Sequence, residues 1–287
     1  MACRVPELAV AALLVLSAGP AATAGDGTEK PEARRIVDAA ITAAGTSIPL
    51  QAEALARLAW PAEDGDPDVA ELARLRLIDY QAYGLPAIRS AIRRARPEQQ
   101  AEVVSALIGA YEKIGYGQAN DFLAGLNDAV WFGTRESRLI AIPQLGRFRF
   151  VPSMLTIIDA AHEDPALVPV TVDALASMGK DRARFFLESV MLEGDPQVRG
   201  MAASALARIG GEALLPLKVA IRSDDPEIRV VAVQALLPVA TVDELSTLHE
   251  YVYAHPDDDA ATVEAVRAST AMLEDVLARQ TEPASSE

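Results

Sequence analysis

The sequence predicts an all-α chain, an α-solenoid of about eight antiparallel helix pairs, and three features carry that prediction. The first is the stretch 195–222, DPQVRGMAASALARIGGEALLPLKVAIR, which holds two amphipathic runs and then begins again at Asp225-Pro226-Glu227-Ile228-Arg229. Asp195 suits a helix N-cap, and Pro196 suits the first helical position, where a missing N–H costs nothing. Val198, Ala202, Ala205, Leu206 and Ile209 recur at helical spacing, and Gly210-Gly211 supplies the left-handed residues that end a helix. The second feature is register. Counted from starts at Lys30, Asp66, Arg96, Thr134, Asp164, Asp195, Asp225 and His255, an aliphatic residue falls eleven positions on each time: Ile41, Leu77, Leu107, Leu145, Leu175, Leu206, Leu236 and Val266. The third is composition. The chain is 51% hydrophobic but only 5% aromatic, so small and medium side chains carry the apolar surface, as helices packed about 8–10 Å apart require.

Taken in order, residues 1–24 read as a secretory signal. Arg4 gives a short positive region, 8–16 an apolar run, and Ala22-Thr23-Ala24 a small-residue cleavage site. That run is shorter than the roughly 20 residues a bilayer span needs, so the mature chain is expected to have no membrane span and to be periplasmic or secreted. Cys3, the one cysteine, lies in the segment expected to be removed. Residues 25–29 form a polar linker, the array occupies 30–280, and 281–287 reads as a disordered tail. Unit one places helices near 31–44 and 50–60, closed by Pro61. Unit two starts at Asp66 and puts its second helix near 85–95. Unit three begins at Pro97 and continues through a glycine-rich connector at Gly115 and Gly117 into a helix ending near Val130. Trp131-Phe132-Gly133 is expected as an inserted loop, and such insertions often serve the binding face of a repeat array. Units four to seven are compact, with Arg147-Phe148-Arg149-Phe150 at a turn. In unit eight, which starts at His255, a long helix over 259–280 caps the array, with Glu264, Arg267, Glu274, Asp275 and Arg279 as its polar outer face.

Proline follows the start in Pro31, Pro67, Pro97, Pro165, Pro196, Pro226 and Pro256, with Arg135 the exception. Arginine stands four residues after the start in Arg34, Arg138, Arg199 and Arg229, and glycine ends the matching helix in Gly45, Gly179 and Gly210. This DPxVR…A…AL…IG pattern resembles the HEAT-like repeats, in particular the short bacterial class named after phycobilisome lyases. The resemblance covers about 30–280. It implies a right-handed superhelix whose second (B) helices line a concave surface, and a non-catalytic scaffold or adaptor for a protein partner. It also leaves open a cofactor-attachment factor related to bilin lyases, and a purely structural spacer.

The chain carries 41 acidic against 26 basic residues, a net charge of −15, which repels polyphosphate backbones and argues against nucleic acid as a partner. Arg89, Arg93 and Arg96 fall on one edge of the second helix of unit two, beside the buried stripe of Ile88, Ala91, Ile92 and Ala95. A guanidinium row of this kind suits carboxylates of a partner; a solvated face offsetting nearby acids is the plainer reading. For both Trp60 and Trp131, packing against a neighbouring unit is the plainer reading; Phe132 beside Trp131 makes that pair the better aromatic candidate for a binding surface, since aromatics anchor interfaces. The Asp/Arg pairs at repeat starts recur too regularly for a reaction centre, and a ladder between adjacent units explains them. His162, His249 and His255 lie in different units without zinc-ligand spacing. Asp257-Asp258-Asp259 lacks the spaced oxygens of a calcium loop, so helix capping explains it better. No phosphate loop, dinucleotide fingerprint or nucleophile elbow is present. The expectation is therefore a protein-binding scaffold with no cofactor and no metal.

Overall fold

The computed structural model describes residues 30–114, 119–179 and 183–281. Among the described residues there are fifteen α-helices, several short 3-10 turns and no strand, so the chain is all-α. The first helices of successive units (A) are α1 (Pro31–Ala43), α3 (Pro67–Asp79), α5 (Pro97–Ile114), α7 (Arg135–Arg147), α9 (Val168–Met178), α11 (Pro196–Ile209), α13 (Pro226–Leu236) and α15 (Ala260–Thr281). The second helices (B) are α2 (Ile48–Ala59), α4 (Gly84–Arg94), α6 (Ala119–Phe132), α8 (Met154–Glu163), α10 (Arg184–Glu193), α12 (Leu215–Ala220) and α14 (Leu245–Ala254). This makes seven pairs and a final unpaired helix. The signal (1–24), the linker (25–29), Cys3, the connector glycines Gly115 and Gly117, and tail residues 282–287 lie outside the described residues; Thr281 closes α15.

Local chemistry sets most helix starts. The carboxylates of Asp66 and Asp225 accept from the backbone N–H two residues on, at 2.9 Å each, and the Thr134 hydroxyl accepts from Ser137 N–H. Proline then occupies the first position of α1, α3, α5, α11 and α13, where its ring presets φ and no hydrogen bond is lost. Three starts differ from expectation. Asp195 holds the N-cap backbone conformation of α11 but makes no capping hydrogen bond. Pro165 opens a 3-10 turn, and α9 begins only at Val168. His255 leads into a turn at Pro256 and Asp257, and Asp259 caps α15 instead, accepting from Thr262 N–H and Oγ1 at 2.8 and 2.7 Å. These two hydrogen bonds also hold the Asp259 carboxyl below its usual pKa.

Helix ends follow the sequence with one refinement. Gly179 caps α9 in the left-handed region, whereas Gly210 caps α11 at φ 70° and ψ −167°, a region essentially reserved for glycine. At the end of α7, Phe150 N–H donates to Leu145 C=O and Arg149 N–H to Gly146 C=O, the paired bonds of a Schellman closure. The residue that must take positive φ there is Arg149, at 51°, not a glycine.

The register lands in the core. Leu77, Leu107, Leu145, Leu175, Leu206, Leu236 and Val266 are at most 1% exposed, and Ile41, in the first helix, is partly buried. Each B helix packs on the A helix that follows it, from α2 on α3 to α14 on α15. Successive A helices also pack on one another from α5 through α15. Ala141, Ala174, Ala203 and Ala232 of these helices are buried, and a Cβ added at Gly146 would stand 2.6 Å from the Ala174 Cα. Small residues therefore allow close approach along the A side. Successive B helices pack closely only from α2 to α8; beyond that, α8, α10, α12 and α14 stand apart. From α8 to α14 the B side is therefore the more open of the two.

The Asp/Arg ladder joins one unit to the next. Lys30 reaches Asp68 at 2.5 Å, Arg135 holds Asp164 through two bonds of 2.5 and 3.0 Å, and Arg199 lies 3.5 Å from Glu227. Arg229 grips Asp258, which explains one of the three successive aspartates while Asp259 supplies the cap. Hydrogen bonding from Arg135 and from Arg229 holds the Asp164 and Asp258 carboxyls below the usual range. On α15, Glu264, Arg267, Glu274, Asp275 and Arg279 are exposed as expected, with Met272 and Val276 exposed among them. Among the described residues, no helix is long and apolar enough to cross a membrane.

Candidate protein-binding surface

The structure brings most of the sequence-predicted site residues together, but not as a free guanidinium row. Arg89 Nε donates to Asp128 Oδ2 at 2.7 Å, and Arg93 Nη2 donates to Asp128 Oδ1 at 2.9 Å. Asp128 sits on the inner side of α6 and is only 6% exposed, so its charge is desolvated and needs both partners. Arg89 also lies 3.9 Å from Asp121. Arg96 turns away, donating to Asp64 at 2.8 Å and lying 3.3 Å from Glu98. The expected exposed row is thus neutralised from within the chain, because α6 packs against α4 and presents a carboxylate between the two arginines.

Trp131 and Phe132 belong to the last turn of α6, not to an inserted loop. Gly133 N–H still donates to Ala129 C=O, and the long spacing of unit three is taken up in part by the 18 residues of α5 and the 14 of α6. Both rings are open to solvent, at 57% and 48% exposure. The Arg93 guanidinium lies over the Phe132 ring, 4.7 Å from its centroid, so the arginine and aromatic candidates form one continuous surface. Trp60, by contrast, is buried. Beside Trp131 an open groove between α6, α7 and α8 is lined by Val130, Arg138, Thr156, Asp159, His162 and Glu163.

The histidines are dispersed. His162 lies against Phe186, His249 Nε2 is 3.2 Å from Glu274, and His255 lies against Tyr251. Among the described residues no group of three or more His, Cys, Asp or Glu is placed to hold a metal ion.

Sequence reasoning missed the more extensive feature. Leu155 on α8, Phe185 on α10 and Leu215 on α12 fall in the first turn of successive B helices, 30 residues apart each time. They are 68%, 69% and 54% exposed. Val219 and Leu192 extend the apolar surface one to two turns further along α12 and α10. Arg184 covers one side of the Phe185 ring at 4.8 Å and is itself 3.5 Å from Glu212. The 30-residue spacing was available in the sequence; aligning the B helices with one another, as the A helices were aligned, would have exposed it. No family model matches the chain, and no curated protein gives a significant match.

Proposed function

We propose that the chain is a non-catalytic scaffold or adaptor that binds a protein partner through the outward face of its B helices. The observation that carries this reading is the recurrence of Leu155, Phe185 and Leu215 in the first turn of three successive B helices, all well exposed. A solvated repeat surface has no reason to keep large apolar groups exposed at a repeating spacing, whereas exposed apolar surface rimmed by polar residues marks interaction sites. Trp131 and Phe132, with the Arg93 guanidinium on the Phe132 ring, add aromatic and arginine groups of the kind that anchor interfaces. The resemblance to HEAT-like repeats and the secretory reading of 1–24 agree with an adaptor of the periplasm or cell envelope. The partner's contact is with the paired Arg89–Asp128–Arg93 cluster as a unit, and Arg96 lies outside it.

A photo-crosslinking amino acid introduced at Phe185 or Leu215, in the cells that make the protein, tests this reading. The same defined product is expected from both sites and not from Leu139 on α7. Equal labelling from Leu139, or no product from either B-helix site, would overturn it.

A further inference from the structure

The charges around the apolar positions specify the partner's chemistry. On α8, Asp159 lies one turn from Leu155, and on α10, Glu188 and Leu192 follow Phe185 at i+3 and i+7, so each set shares one helix face. Glu193 ends α10 beside Leu192. Asp159, Glu188 and Glu193 make no ion pair and no side-chain hydrogen bond among the described residues, whereas the cations nearby are taken: Arg138, which lines the groove beside Asp159, by Glu163 at 3.0 Å, Arg184 by Glu212, Lys218 by Glu244 at 2.7 Å, and Arg222 by Glu250 at 2.6 Å. The face therefore presents apolar anchors interleaved with carboxylates that have no counter-charge, on a chain of net charge −15.

Resting on the protein-binding reading above, we infer that α8 and α10 form a docking site for a cationic amphipathic segment of a partner protein. Its apolar side chains cover Leu155, Phe185 and Leu192, and its lysines or arginines pair with Asp159, Glu188 and Glu193. Apolar contact supplies the affinity, and the carboxylates select the sign of the partner and raise its association rate. Anionic partners, including nucleic acid and acidic membrane surfaces, are rejected by the same groups.

The test uses the full chain and a labelled 14-residue helical peptide of alternating leucine and lysine faces, read by fluorescence anisotropy. Its glutamate-for-lysine counterpart and an oligolysine of equal charge serve as comparison probes. The lysine peptide is expected to bind, with both comparison probes at least tenfold weaker. Combining Asp159→Asn, Glu188→Gln and Glu193→Gln is expected to weaken the peptide about tenfold at low salt, and less at high salt, as screening dictates. A variant with the same change in net charge elsewhere, Glu71→Gln, Asp79→Asn and Asp257→Asn, is expected to change it less than about twofold. Equal loss in the two charge variants, or oligolysine binding as tightly as the amphipathic peptide, would overturn the inference, because bulk charge would then suffice. If charge position is immaterial but Leu155→Ser with Phe185→Ser still abolishes peptide binding, the cationic specificity fails and the B-face reading stands. If neither set of changes matters, both fail.

Discussion

Arg229 holds Asp258 with two parallel hydrogen bonds, from Nε to Oδ2 at 3.0 Å and from Nη2 to Oδ1 at 2.6 Å, while its Nη1 donates to the carbonyls of Ser223 and Asp224. Both side chains are largely buried. One guanidinium thus fastens α13, the loop before it and the approach to α15. Removing one partner of such a pair leaves the other charge buried without compensation, which costs about 3 kcal/mol or more. Asp258→Ala is expected to lower the urea midpoint accordingly, with loss concentrated at the C-terminal helices by hydrogen exchange. Arg35→Ala, which removes an exposed pair with Glu32, is expected to change stability by less than about 1 kcal/mol.

This ladder shows how far the sequence could be read. Starts such as Asp66 and Asp225, prolines at the first helical position and the aliphatic register were legible because capping and burial act over a few residues. Which carboxylate an arginine meets was not. Arg89 and Arg93 looked like an open edge because Asp128, 39 and 35 residues away, reaches them only once α6 packs on α4. The local sequence Trp131-Phe132-Gly133 suits an inserted loop, whereas the helix runs through Phe132 and Gly133 ends it. The closer approach of the A helices was not legible either: it depends on contacts such as Gly146 against Ala174, and no sequence motif records that spacing.

Acid sensitivity follows from the same carboxylates. Burial works to raise the Glu244 pKa, but hydrogen bonds from Lys218 and Thr241 outweigh it and hold the group below its usual value; Arg229 does the same for Asp258. A carboxyl whose folded pKa is depressed binds fewer protons than in the unfolded chain, where it titrates near 4. Its contribution is fully present above that pH and is lost as the pH falls through the folded pKa. Melting temperature is expected to be flat near neutrality and to drop below about pH 4.5. Glu244→Gln is expected to lower the neutral value and flatten the acid slope.

Arg149 takes positive φ at the Schellman closure of α7, a conformation that costs a residue with a Cβ about 1–2 kcal/mol. Its guanidinium has no carboxylate partner among the described residues. Arg149→Gly is therefore expected to raise stability by about 0.5–1 kcal/mol, after the glycine's greater freedom in the unfolded chain is offset. A decrease in the urea midpoint would show that the arginine side chain contributes more than its backbone costs.

Two glycines give a contrasting pair. A Cβ at Gly146 would meet the backbone Cα of Ala174 at 2.6 Å, while one at Gly125 would meet the end of the Leu107 side chain at the same distance. Backbone cannot yield without moving a helix; a leucine methyl can rotate. Gly146→Ala is expected to cost about 1–3 kcal/mol, and Gly125→Ala clearly less, both read from denaturation midpoints.

The central claim is that B-helix side chains in register form the partner surface. Its most direct test combines Leu155→Ser, Phe185→Ser and Leu215→Ser, all exposed positions, in a chain that carries the crosslinking residue at exposed Val219 instead, and compares recovery of the crosslinked partner with that of the same chain without the three changes. The expected result is loss of the partner with helix content and melting temperature unchanged. Undiminished recovery from a chain that still folds would contradict the claim.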